Sequence, residues 1–546
     1  MNKIKYCFIL FVFTATCTIN AQNPDLESEA VDIVKSFDAR LGDATRQLVD
    51  PALPPLDSAS KRLNYNITPR TTDVEYLPPK IRPLAMKGDE LQKNYDGYAK
   101  LGGGFPASLF GKGYYNVTKD KTFNLGLKAD HHSANNSQSV ENQRFSWTKA
   151  GADGTYYFDE GFAVNGNLAY TSDVVHFYGY NDINEEEEEE YSFDRERVKQ
   201  RFSVFDIGAN IFNGERTEAD FNYYAGVKMY FMQDNYAARE NGFNLLISGT
   251  KWFANSHPLA IELETDFSSF RDTAKQNLNN FFLRPSYTYH GERFKAKLGA
   301  NIASHDDEFS FFPDVEVSAG IVEGIITAYI GAEGSLQKNN FRALSDYNPY
   351  IVSRLMVRNT NYFHYYGGVK GNFQGVNYDL QAGYKTTENL ALYQLSEAND
   401  TIPRFDVLYD SANIFILKAS LEAPIFRGFV ITGSVAQRFY TLETQERAWH
   451  LPAFTLNAGA RYTTMEDKLT VKGNFYLENG VPFLNDDEEA ENLNALFDIS
   501  LGVDYFFSEQ IGGFIQVNNL ANNQRERWRH YPTFGINALI GIIARF

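Results

Sequence analysis

Four stretches of this 546-residue chain carry residue types that could hold a cation. Glu185 to Glu190 is an unbroken acidic run. Asp486, Asp487, Glu488, Glu489 and Glu491 form a second cluster, and Asp306, Asp307 and Glu308 a third. Their oxygens suit calcium or magnesium, and a bound cation there could bridge to anionic surface glycolipid. An unbroken run nevertheless lacks the spaced ligands and the glycine turn of a formed calcium loop, so a solvated loop is the favoured reading. Glu185, Glu190, Asp486 and Asp487 are the residues a metal would use if one binds. Asp130, His131 and His132 are adjacent in sequence and could form a small metal site, although no second spaced ligand accompanies them.

Other chemistry finds little footing. No serine elbow, zinc-protease helix, phosphate loop or dinucleotide fingerprint occurs, so no cofactor is expected and an enzyme is disfavoured. A local echo is visible instead. Glu446-Arg-Ala-Trp-His-Leu-Pro-Ala-Phe454 is repeated as Glu526-Arg-Trp-Arg-His-Tyr-Pro-Thr-Phe534. The shared residues could fix how a loop returns to a strand, or could pair into a ligand site.

The elements that must position these residues are strands. Phe534 to Phe546 places Phe534, Ile536, Ala538, Ile540, Ile542, Ala544 and Phe546 on one wholly apolar face. The other face is mixed and glycine-rich. An apolar face against lipid and a small or polar face toward a lumen mark a transmembrane β-strand. Phe534 and Phe546 bracket this terminal aromatic strand, which resembles the signal that ends bacterial outer-membrane barrels. The same period of two recurs upstream. Lys128, Asp130, Lys468, Lys472, Asp498 and Asp504 fall opposite apolar residues and are expected to face a hydrated lumen. Short turns such as Asp159–Gly161 and Met465–Asp467 alternate with longer polar connections such as 182–199 and 336–360. That pattern predicts an all-β, transmembrane antiparallel barrel of about 22 strands, within a range of about 14 to 22. The acidic runs then lie in outer loops. Trp147, Trp252, Trp449, Trp528, Phe177 and Tyr178 are expected near strand ends, as aromatic rings at headgroup level.

The rest of the chain fits that frame. Residues 1–21 read as a secretory leader, with Lys3 and Lys5 before the apolar Phe8–Phe13. Cys17 admits a lipoprotein alternative, which Thr14-Ala15-Thr16 matches poorly. Cys7 and Cys17 are the two cysteines, so the chain after the leader has no disulfide, thiolate metal site or cysteine nucleophile. Residues 22–96 combine helical apolar spacing at Val31, Val34, Phe37 and Leu41 with a proline-rich extended stretch at 73–83. Residues 97–546 are the barrel. The net charge of -18 argues against nucleic acid as a partner. Outer-membrane lipid and glycolipid are the expected partners, with outer-membrane or periplasmic proteins as further candidates.

Gly512-Gly-Phe-Ile-Gln-Val-Asn-Asn-Leu-Ala-Asn-Asn523 and the strand to Phe546 resemble the closing hairpin of TonB-dependent receptor barrels. Val517, Asn518, Asn519 and Leu520 match its penultimate strand end, and Gly535 and Gly541 match glycines of its final strand. The proline-rich lead-in followed by Tyr95–Gly104 is similar to barrels of Bacteroidetes-type bacteria often labelled TonB-receptor-like. The resemblance implies a 22-strand barrel in the outer membrane. The segment before Gly97 is about half the length of a receptor plug, and no clear TonB box precedes it. The function expected is transport of an unidentified solute. A non-enzymatic structural or accessory subunit of an outer-membrane protein or glycolipid assembly complex is the alternative.

Overall fold

A computed structural model describes residues 95–119, 122–187, 191–306, 308–397 and 401–546. The leader, the N-terminal helix and the proline-rich stretch expected from sequence lie outside the described residues, as do Glu188 to Glu190. Of the 26 strands among the described residues, 22 form one antiparallel sheet and the other four make two short hairpins. It closes because the first strand, β1 (Gly97–Phe105), pairs with the last, β26 (Asn537–Arg545). Closure leaves no unpaired edge, which is the condition for a sheet to stand in lipid. Among the described residues no helix is long and apolar enough to cross a membrane; the crossing elements are strands.

Period-two alternation decides which side meets lipid. Leu101, Leu127, Leu168, Ile207, Ile261, Phe311, Ile330, Leu380, Leu417, Ile540 and Ile542 are exposed on the outer face. Such an apolar band on a closed barrel has one compatible solvent, the hydrocarbon of an outer membrane. At the seam Gly102 and Gly541 are register partners. A Cβ on Gly541 would lie 2.0 Å from the Leu101 carbonyl oxygen, and one on Gly102 would meet the Phe514 ring at 2.6 Å. The seam therefore closes only with glycine on both sides.

The two ends of the barrel differ. At one end every described connection is short, for example Asp159–Gly161, Arg427–Gly428 and Met465–Lys468. Both ends of the barrel chain, Gly97 and Phe546, meet there through paired backbone hydrogen bonds of 2.7 and 3.0 Å. Rings gather at this end: Phe158 stacks on Phe162, and Phe426 on Phe429, and Tyr115 on Phe546. They form the aromatic girdle. The opposite end carries the long loops 177–198, 340–357, 443–453, 480–495 and 519–536. The expected strict alternation of length fails here, because 106–107, 235–238 and 272–274 are tight turns at that same end. Antiparallel pairing fixes which end a connection occupies; it does not fix its length.

Two further corrections concern aromatic residues. The last strand begins at Asn537, and Phe534 precedes it, with its ring edge-on to Phe145 at 5.6 Å. Trp449, Trp528, Phe177 and Tyr178 are not headgroup residues. All four are buried inside the long-loop assembly, where apolar neighbours outcompete the interface.

Candidate functional site

The lumen wall is built from the strand faces opposite the lipid band. Several of its charges stand in ion pairs. Asp504 on β22 (Leu496–Phe506) accepts from Lys100 at 3.0 Å and from Lys472 at 2.7 Å. Lys128 meets Asp153 at 2.9 Å, and Lys297 meets Asp314 at 2.6 Å. Arg284 reaches both Glu262 and Glu264 at 2.6 Å. Between Asp379 and Asn518 the wall turns to hydroxyls and amides. Ser420, Ser434, Thr455, Asn457, Asn474 and Ser500 line two adjoining hollows of about 400 and 710 Å³. This sector sets many hydroxyl and amide donors and acceptors beside four charged side chains, Asp379, Lys418, Arg438 and Asp498, a surface for polar, hydrogen-bonding solutes rather than apolar ones.

The long loops fold together across the barrel mouth. After β13 (Ile326–Asn339) the chain makes helix α2 (Phe341–Tyr347); an earlier helix, α1 (Tyr180–Glu187), lies in the loop after β5 (Phe162–His176). Helix α2 is capped twice. Asn340 accepts from the Ala343 N–H at 2.9 Å, and the Glu240 carboxylate accepts from the Phe341 N–H at 2.7 Å. Free amides and the positive end of the helix favour a carboxylate there. Glu240 belongs to β8 (Arg239–Phe253) and Asp206, which pairs with Arg342 at 2.6 Å, to β6 (Lys199–Asn213). Helix α2 thus reaches from one sector of the wall to another. Phe341 fills the space between Phe202 and Phe270.

The centre of this cap is aromatic. Tyr350 stacks on Tyr531 at 3.8 Å, and Tyr178 lies edge-on to both. Phe405 and His450 pack against Trp528. Tyr350 and Val352 also bond to the Phe405 backbone at 3.0 and 2.9 Å, extending the sheet over the mouth. Burial of each large side chain contributes about 1.5–3 kcal/mol, so the cap is a packed unit with its own core.

The two echo segments meet in this cap. His450 is fully buried; its Nδ1 bonds to the Tyr393 carbonyl at 2.7 Å, and its Nε2 accepts from the Arg529 N–H at 3.4 Å. Burial holds its pKa down to about 3, so it is neutral. Arg527 pairs with the buried Glu478 at 2.8 Å and lies over the Trp528 ring. The segments pack directly on each other, which answers the expectation of a ligand site between them with a structural joint. His530 is held differently. Its Nδ1 is 2.8 Å from Asp182 of helix α1, and its backbone N–H donates to Glu526 at 2.9 Å. Ligand atoms of Asp182, Glu526 and His530 lie within 4.8 Å of one another. Burial, then the charge of Asp182, pushes the Glu526 carboxyl up to about 7. Burial acts upward on Asp182 too, but the His530 hydrogen bond and charge bring it below its ordinary value.

The residues singled out from sequence are placed as follows. Lys128, Lys472 and Asp504 are in wall ion pairs, and Asp498 accepts from the Ser500 hydroxyl beside the polar hollow. Asp130 sits in β3 (Phe123–Asn135), opposite Lys112 and Lys149 in register. Lys468 is in the turn Met465–Lys468, outside its expected strand, because the chain needs those residues to reverse. Asp130, His131 and His132 do not converge: consecutive strand residues face opposite sides, and the His131 nitrogens are bonded to Thr148 and Ser133. Glu185 lies on helix α1; its side chain and Glu190 fall outside the described residues. Asp486 and Asp487 form the exposed tip of a hairpin in which Asn485 caps the Asp487 and Glu489 amides. Among the described residues the group of acidic and histidine side chains that gathers is Asp182, Glu526 and His530, which sequence reasoning missed. The residues are 348 positions apart at the extremes, and only the echo drew any notice to His530.

Closed, 22-stranded, lipid-banded on the outside and polar within, the chain has the fold of a large outer-membrane receptor barrel. No family model matches the sequence, and no curated protein matches it. Solved structures do match. The pyoverdine outer-membrane receptor FpvA from Pseudomonas aeruginosa PAO1 superposes with a TM-score of 0.60 at 10% identity, covering 84% of this chain and 79% of that one. The ferric-catecholate import receptor Fiu from K12 E. coli gives 0.62 at 8%, covering 83% and 82%. The copper transporter OprC gives 0.60 at 10%, covering 83% of each chain. This chain shares the barrel fold of these three proteins.

Proposed function

We propose that this chain moves a polar solute across the outer membrane through its lumen, with the loop cap at the outer mouth and the short turns toward the periplasm. The observation that carries the proposal is the polar sector from Asp379 to Asn518, where hydroxyls and amides line two hollows together with Asp379, Lys418, Arg438 and Asp498. The names receptor, import receptor and transporter that FpvA, Fiu and OprC carry support a transport reading, while the solute is this chain's own. The test is solute flux into liposomes carrying the full chain, the chain lacking residues 23–94, and the chain with its cap opened by Trp528→Ala. Transport predicts flux that rises when either barrier is removed.

A second reading has its own observation. A cap with a continuous aromatic core is a packed structure in its own right, and suits a scaffold that holds partner proteins or glycolipid. That reading predicts no flux in any form, and loss of a co-purifying partner when residues 23–94 are removed.

A further inference from the structure

We infer that Asp182, Glu526 and His530 form a divalent-cation site of the zinc class that ties the loop after β5 to the loop before β26. The inference stands apart from what the lumen carries. Two carboxylate oxygens and one imidazole nitrogen are the ligand types of three-residue zinc sites, with water completing the shell. Ligands at about 2.0–2.2 Å from one ion lie within about 4 Å of each other. The three atoms here are within 4.8 Å, so small side-chain rotations close the shell. Calcium and magnesium are poorly served, because they call for six or more oxygens or retained water and make little use of imidazole.

The chain contains its own control. Glu446 holds the place in the first echo that Glu526 holds in the second. Glu446 is out in solvent beside Arg447, with 65% of its side chain exposed. Glu526 is drawn in to 17% and set against a second carboxylate, Asp182. The same segment, with the same left-handed histidine (φ 56° and 66°), therefore folds one glutamate outward and the other toward a carboxylate. Arg529, 3.6 Å from Glu526, offsets one of the two negative charges. Drawing two carboxylates together out of water is unfavourable unless a proton or a cation accompanies them. His530 is the third donor on that side. A cation here would cross-link α1 to the β24–β25 hairpin (Glu526–Trp528 and Tyr531–Pro532), two elements with no covalent connection nearby.

The test uses the full chain purified in detergent, treated with chelator and titrated with zinc by calorimetry and with cobalt by absorption. One zinc per chain is expected, with a cobalt spectrum of low coordination number. Asp182→Asn and His530→Gln should weaken binding by roughly tenfold or more, while Glu446→Gln leaves it unchanged. Zinc should also protect the 177–198 and 519–536 loops from protease in the unaltered chain and not in those variants. Heat-dependent gel mobility verifies that each variant still forms the barrel. If Asp182→Asn fails to fold, Glu526→Gln takes its place, since the amide keeps the side chain's size and an oxygen to accept from the His530 backbone N–H. No saturable zinc binding, binding that survives the substitutions, or calcium and magnesium competing as equals would each overturn the inference.

Discussion

The segments 446–454 and 526–534 are identical at five positions, one of them a left-handed histidine, yet they do different work. In the first, His450 is a neutral, buried spacer whose two nitrogens are both bonded to backbone. In the second, His530 faces two carboxylates. The backbone geometry is common to both; the surroundings set the chemistry. Tyr393 and Trp528 surround His450, and helix α1 delivers Asp182 to His530. A motif read along one chain therefore specifies a turn, and the loop that packs on it specifies whether that turn becomes a joint or a site.

The largest expected effect separates the two histidines by charge. His450→Lys puts an uncompensated cation among Phe405, Trp528 and Tyr393 and should destabilise the cap by about 3–5 kcal/mol. His530→Gln, which keeps a hydrogen-bonding side chain, should cost under about 1 kcal/mol in chelator. Hydrogen exchange of the loop amides reads both, and equal losses would erase the distinction. Trp528→Ala, which empties the ground shared by both segments, should cost about 3–5 kcal/mol and open the loops while the barrel stays intact.

Next in size is a pair of opposed pH dependences, measured without metal. His450 has a folded pKa near 3, below its ordinary value of 6.5. The open cap takes up a proton that the closed cap refuses, so closure weakens as pH falls from about 6.5 toward 3. Glu526 is raised from 4.5 to about 7. The open cap there loses a proton that the closed cap keeps, so closure weakens as pH rises from about 4.5 through 7. His450→Gln should lessen the acid-side decline and leave the part Asp182 contributes, while Glu526→Gln should remove the decline on the alkaline side. The smallest expected difference is between the glutamates above pH 8. Glu526→Gln should stabilise the metal-free cap by roughly 1 kcal/mol, whereas Glu446→Gln should change it by less than about 0.5 kcal/mol.

Much of the barrel was legible because its rule is local. A strand between lipid and water must alternate, and Ile540, Ile542 and Leu101 on one side with Asp504 and Lys472 on the other announce that rule residue by residue. Strand count followed from turn spacing. The cap was not legible, because its rule is not local. Trp449, Trp528, Phe177 and Tyr178 look like interface aromatics in sequence, and only the meeting of loops far apart in the chain turns them into a core. The same holds for the ion cluster. Conspicuous acidic runs at 486–491 drew the eye to a solvated hairpin tip, while Asp182, one carboxylate on a short helix, finds its partners through the fold.

That the cap closes a polar lumen is tested most directly by labelling from outside. The chain after residue 21 has no cysteine, so Ser434→Cys places one thiol on the lumen wall among Ser420, Arg438 and Asn457. A membrane-impermeant maleimide added to intact cells should leave this thiol unmodified when the cap is unaltered, and should modify it rapidly when Trp528→Ala or His450→Lys is also present. Equal, rapid labelling of Ser434→Cys with the cap unaltered would show that the long loops do not close the mouth.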